Sequence, residues 1–151
     1  MARTRHVYLL PVPPKVISSI VKDNQSHMGA YKGSIDFAVP VDTSVLAAAN
    51  GVVTRVCDSS NKYGKDPSFG QDVNYITIEH SGNELSEYLH LAQSSAKVKA
   101  GEKVKQGQEI AKTGLSGWLY APHLHFMVYS KVERREDFQC LNIRFIQPLP
   151  E

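Results

Sequence analysis

Short stretches in which apolar and polar residues alternate recur along this chain: IDFAV (residues 35–39), SVLAA (44–48), GVVTRVC (51–57), VNYITIEH (73–80), LSEYLHL (85–91), QEIAKT (108–113) and LHFMVY (124–129). Successive side chains of an extended backbone point to opposite faces, so a period of two, carried by β-branched and aromatic residues, predicts strands. Turn signals part them, from AANG and SSNKYGKDPSFGQD to HSGN, KAGEKVKQGQ and TGLSG. The plan is mainly β. Only PPKVISSIVKDN (13–24) differs, where two prolines precede Val16, Ile20 and Val21 and predict a short helix near the start. Asn50-Gly51 lies between apolar runs and predicts a tight turn, since both residues tolerate positive φ; Gly101 and Gly107 flank a lysine-rich bend. No long internal repeat or low-complexity tail divides the chain, so residues 1–151 are read as one domain.

Composition narrows this little. A chain of 151 residues can bury a core without disulfides or metals to hold it together, and 42% hydrophobic with 21% charged residues is ordinary for a globular protein. The formal net charge of +2 gives no argument for a nucleic-acid surface, and the basic bunches KVKAGEKVK and KVERRED are interleaved with acids, as on a solvated face. Cys57 and Cys140 form no CxxC pattern; two buried thiols and one bridge are both open. In MARTRHVYLLPVPP the apolar run is stopped by prolines after a few residues, too short for a signal-peptide core or a membrane span. The expectation is a chain cytoplasmic as synthesised, or a trimmed or lysis-released form.

Candidate chemistry enters with YAPHLHFMVY (120–129). On a strand His123 and His125 share one face while Leu124 and Phe126 occupy the other, so two imidazoles look into the same space. By itself this pair fits a half-buried strand with a polar face as well as it fits a ligand pair. The chain holds six histidines, His6, His27, His80, His90, His123 and His125. Zinc takes imidazole nitrogen together with carboxylate oxygen, and hydrolytic sites use three protein ligands and keep a fourth position open. Asp36 is a candidate partner, because a carboxylate between Ile35 and Phe37 is costly to bury unless it is paired or bound to metal.

At these residues the sequence resembles a known family. SHMGAYKGSIDFAVPVDTSVLAAANGVV (26–53) looks like the opening motif of the M23 zinc metallopeptidases, the lysostaphin and LytM group. YITIEHSGN followed by EYLHL resembles that family's strand, turn and tyrosine-x-histidine-leucine segment. VKAGEKVKQGQEIAKTGLSG resembles its glycine-punctuated bend, and APHLHF its terminal signature. The four motifs stand in family order from about Tyr8 to about Tyr129.

The resemblance implies a compact antiparallel β-sheet, a barrel-like sandwich of the duplicated hybrid motif type. It also implies one Zn2+ per chain held by His27, Asp36 and His125, with His90 and His123 as the catalytic, non-ligand histidines beside a zinc-activated water. The implied activity is metalloendopeptidase cleavage of peptide cross-bridges or stem peptides in bacterial peptidoglycan, with the cell wall as site of action. Zinc brings the pKa of water to about 7 and polarises a carbonyl, and flanking imidazoles can move the proton and stabilise the oxyanion. Tyr88 shares a strand face with His90 by alternation, which suits either donation to the oxyanion or packing. Trp118 and Tyr120 are candidate walls of a substrate groove, His80 a turn residue near the cleft, and His6 a surface residue. The rival readings are a non-catalytic member of the family, a zinc peptidase with a different substrate, and a sugar-phosphotransferase-type carrier; the carrier has no use for Asp36 beside three histidines.

Overall fold

The structure is a computed structural model, and it describes residues 2–22, 31–131 and 139–150. The described residues form thirteen strands: β1 (Arg3–Tyr8), β2 (Ser19–Val21), β3 (Ile35–Ala38), β4 (Ser44–Leu46), β5 (Gly51–Cys57), β6 (Tyr63–Gly64), β7 (Tyr75–His80), β8 (Glu84–Leu89), β9 (Lys103–Val104), β10 (Glu109–Lys112), β11 (Gly117–Trp118), β12 (Leu124–Ser130) and β13 (Asn142–Phe145). Seven of them build one sheet in the order β2-β3-β12-β8-β7-β5-β9. Every neighbouring pair in it is antiparallel. All seven patterned segments contain a strand, and the fold is mainly β as expected.

Register explains how the sheet divides its chemistry. Directly paired residues share a face, so Val53, Ile78, Ser86 and Val128 form one row, Ile76, Tyr88, Phe126 and Ile35 a second, and Leu124 with Phe37 a third. These rows face the core. A bulge between Val53 and Arg55 shifts the register by one residue and lets Val53 and Val56 both turn inward, which strict alternation would forbid.

The core rows are covered by a second layer. Its antiparallel β4–β10 pair and its parallel β1–β13 pair are joined by Leu9 N–H donating to Ala48 O (2.8 Å) and Leu46 N–H to Pro11 O (2.8 Å). Tyr8, Leu10, Val45, Ala47 and Ile110 are buried between the layers. Phe126 is the hub of the aromatic packing, 5.2 Å from Tyr88, 6.3 Å from Phe145 and 6.5 Å from Tyr8 by ring centroids. Each fully buried large side chain contributes about 1.5–3 kcal/mol.

Two local expectations change. The predicted helix is a single 3-10 turn, Pro14–Val16, after which Ser19–Val21 extends as β2 along the edge of β3. One turn closes too few hydrogen bonds to propagate, whereas the sheet edge supplies partners at once, with Ser18 N–H donating to Ala38 O at 2.9 Å. Asn50-Gly51 is not a positive-φ turn, and β4 and β5 lie in different sheets. Gly51 is required for a different reason: a Cβ there would lie 2.4 Å from Glu79 O and 2.7 Å from Ile78 Cγ2. Gly101 and Gly107 do adopt positive φ, 95° and 88°. Cys57 and Cys140 are both free thiols, and burial pushes that of Cys140 up to about 11.

Candidate active site

The face of the sheet turned away from the core carries its own row: Val21, Asp36, His125, Leu89, Tyr75 and Cys57 are paired in sequence across β2, β3, β12, β8, β7 and β5. Asp36 and His125 are therefore direct cross-strand neighbours. His125 Nδ1 lies 2.9 Å from Asp36 Oδ1, and both residues are buried. His123, two positions earlier on the same face, brings Nε2 to 3.7 Å from the same carboxylate oxygen.

His90 reaches this group by a break in alternation. It follows β8 with φ of 72°, and its ring lies 4.5 Å from that of His123 and 6.3 Å from that of His125. Tyr88 does not follow it. The Tyr88 hydroxyl accepts from Ala48 N–H at 2.9 Å and lies 2.9 Å from Ser86 Oγ, inside the core, so of the two roles open to Tyr88 the structure takes packing.

Two ring tautomers follow from hydrogen-bond chemistry. His90 Nδ1 lies 2.7 Å from Ser116 O and His123 Nδ1 lies 2.9 Å from Ala121 O. A carbonyl oxygen only accepts, so Nδ1 carries the proton in both rings, and Nε2 is left as the basic atom of the neutral imidazole. Burial is the main cause that pulls the His90 pKa down to about 3, reinforced by the neighbouring His123 and opposed by the Ser116 carbonyl. His90 is thus an uncharged acceptor at neutral pH.

Asp36 and His125 offer a carboxylate oxygen and an imidazole nitrogen facing each other, the donor types that zinc takes. His27 lies outside the described residues. Among the described residues no three His, Cys, Asp or Glu side chains are grouped as a metal-holding set. Asp36 and His125 fit a metal in donor type and as a facing pair.

Trp118 sits at the margin with its indole N–H donating to Lys65 O at 3.1 Å, and Tyr120 is 69% exposed. The parallel pairing of β11 with β6 ties this margin to the long loop after β5. His80 is a correction. It lies at the far end of β7 from this site, buried, with Nδ1 2.6 Å from Asn50 O and Nε2 2.8 Å from Ser86 Oγ. Residues that sequence reading passed over are Asn74 and Ser116, both fully buried behind His90; their one visible signal is position, next to YITIEH and inside TGLSG.

The model of peptidase family M23 matches residues 30–137, and the chain belongs to that family. An uncharacterized metalloprotease of Buchnera aphidicola subsp. Baizongia pistaciae is 34% identical over 116 residues, 77% of this chain and 26% of the relative. The peptidoglycan DD-endopeptidase ShyC of Vibrio cholerae serotype O1 is 39% identical over 97 residues, 64% of this chain and 19% of the relative. The crystal structure of a zinc containing peptidase from Vibrio cholerae aligns with a TM-score of 0.60 and 30% identity, over 96% of this chain and 41% of that one. The chain spans about a fifth to a quarter of the length of these two curated relatives.

Proposed function

We propose that this chain, as one catalytic domain, is a zinc-dependent endopeptidase that hydrolyses peptide bonds in the cross-bridges or stem peptides of bacterial peptidoglycan, with the cell wall as its site of action. His27, Asp36 and His125 hold one zinc ion, and His90 and His123 are the catalytic histidines. The observation that carries this reading is the meeting of Asp36, His125, His123 and His90 on the sheet face opposite the core. The substrate class rests on the relative named a peptidoglycan DD-endopeptidase.

Zinc bound in such a site supplies a Lewis acid and brings the pKa of water to about 7. The remaining chemistry belongs to the chain. In their neutral forms His90 and His123 each present a lone pair at Nε2, because Nδ1 is committed to a backbone carbonyl. An imidazole in that state takes a proton from water as the scissile carbonyl is attacked, then donates it at the same atom to the oxyanion or to the leaving amine. Asp36 faces His125 across the paired strands, and Trp118 and Tyr120 flank the approach.

The test is zinc per chain and clearing of a peptidoglycan suspension, in the wild type, Asp36→Ala and His123→Ala. The expected result is about one zinc in the wild type and in His123→Ala, little in Asp36→Ala, and clearing by the wild type alone. A wild type that binds no zinc, or a His123→Ala variant that clears like the wild type, overturns the assignment.

A further inference from the structure

His90 holds a backbone conformation that ordinary residues avoid, with φ of 72°. A non-glycine residue in this region persists when its surroundings over-determine it. The surroundings converge on two residues. Asn74 O accepts from the N–H groups of both His90 (3.0 Å) and Leu91 (3.2 Å). Ser116 O accepts from His90 Nδ1 at 2.7 Å, and His90 O accepts from Gly114 N–H at 3.0 Å.

Those two residues are bound to each other. Asn74 N–H donates to Ser116 Oγ at 3.0 Å, and Ser116 Oγ donates onward to Leu91 O at 2.9 Å. The Asn74 amide is used at each end: Nδ2 donates to Leu91 O (3.1 Å) and Ser60 O (2.9 Å), while Oδ1 accepts from Ser60 N–H (3.0 Å). Neither residue is solvent-exposed, so no water competes for these bonds.

Two glycines seat the segment that carries Ser116. A Cβ at Gly114 would lie 2.4 Å from Ala92 Cα, and a Cβ at Gly117 2.7 Å from Val73 Cβ. The segment between them therefore lies against the chain just after His90, at Ala92, and just before Asn74, at Val73.

Resting on the reading of His90 as a catalytic base, we propose that Asn74 and Ser116 are its positioning residues: a buried clamp that holds His90 in a left-handed backbone and one ring tautomer, with Nε2 as the basic atom. Among the described residues their hydrogen bonds go to His90, Leu91, Ser60 and each other, so the clamp acts on proton handling and not on metal retention. Its Ser60 arm also anchors the start of the loop that leads to Tyr63 and β6.

The experiment uses the full chain with 15N-labelled histidine. Ring 15N shifts of His90, zinc per chain, and kcat and KM on a peptidoglycan-derived peptide are compared in the wild type, Ser116→Ala and Ser95→Ala. Ser95 Oγ donates to Ala92 O and Lys112 O and touches no part of the clamp, so this variant controls for loss of a hydroxyl nearby. The expected wild type has a single Nδ1–H tautomer at His90. Ser116→Ala keeps the carbonyl that meets His90 Nδ1 but removes the Oγ bridge between Asn74 N–H and Leu91 O that seats it, so the ring becomes a tautomer mixture, kcat falls about 10–100-fold with KM within about twofold, and zinc stays near one per chain; Ser95→Ala keeps the wild-type ring signature. An unchanged His90 signature in Ser116→Ala, or equal effects of the two variants, overturns the clamp. If Ser116→Ala does not fold, a wild-type His90 found as Nε2–H or as a mixture overturns it alone. A wild type inactive on peptidoglycan defeats the proposed function, while the ring shifts still decide the clamp.

Discussion

Asp36 and His125 stand directly opposite each other on β3 and β12, with Asp36 Oδ1 and His125 Nδ1 2.9 Å apart. Register, not loop folding, makes this contact, so it survives as long as the two strands pair. Replacing Asp36 by Asn keeps an oxygen that accepts from His125 Nδ1–H but removes the negative charge that a divalent cation requires. The expected outcome for Asp36→Asn is a metal-free thermal midpoint close to the wild type, zinc content near zero, and peptidase activity at the level of chelator-treated wild type. Metal analysis and thermal unfolding in chelator check both halves.

Tyr88 belongs to the core. Its hydroxyl accepts from Ala48 N–H and is fully enclosed, and burial raises its pKa to about 12. Tyr88→Phe leaves that buried donor without its acceptor and is expected to cost about 1–3 kcal/mol in urea unfolding. kcat/KM should stay within about twofold of the wild type, since the ring packs on Phe126 and away from the histidines. A large fall in kcat with unchanged stability would return Tyr88 to the oxyanion role.

His80 makes stability depend on pH. Burial is the main cause that lowers its pKa, and His6 nearby adds to it, against the Asn50 carbonyl, Glu84 and Glu79. The folded state therefore binds a proton less readily than the unfolded chain. The stability it contributes is complete above the unfolded value of about 6.5 and is lost as pH falls from there toward the lower folded value. His80→Gln loses hydrogen bonds and should melt below the wild type at pH 7.5. Its curve should then approach that of the wild type on acidification to pH 5, measured as thermal midpoints in chelator across that range.

Gly51 and Gly70 form a matched pair. At Gly51 an added Cβ meets backbone and core atoms of β7, whereas nothing lies within 4 Å of one at Gly70. Gly51→Ala should destabilise by about 1–3 kcal/mol, and Gly70→Ala should fall within about 0.5 kcal/mol of the wild type in the same urea titration.

Periodicity was sufficient where a strand is long and half-buried. GVVTRVC coincides with β5, and LHFMVY falls short of β12 only by Ser130. It failed at β6, β9 and β11, two residues each, because two residues contain no period. It also failed at β1 and β13, whose partners lie at opposite ends of the described chain and make a strand only by meeting.

The candidate site divides in the same way. The motifs in the sequence, and the alternation that puts His123 beside His125, marked the chemistry, since side-chain type and strand period are local properties of the chain. Tertiary structure alone decided that Asp36 faces His125, that His90 leaves the Tyr88 face through a left-handed turn, and that Asn74 and Ser116 fix its ring. Those facts depend on register and on hydrogen bonds between segments far apart in sequence. The backbone bonds among them are made by atoms every residue shares, and the side-chain bonds of Asn74 and Ser116 by common polar types, so residue identity alone carries little sign of either.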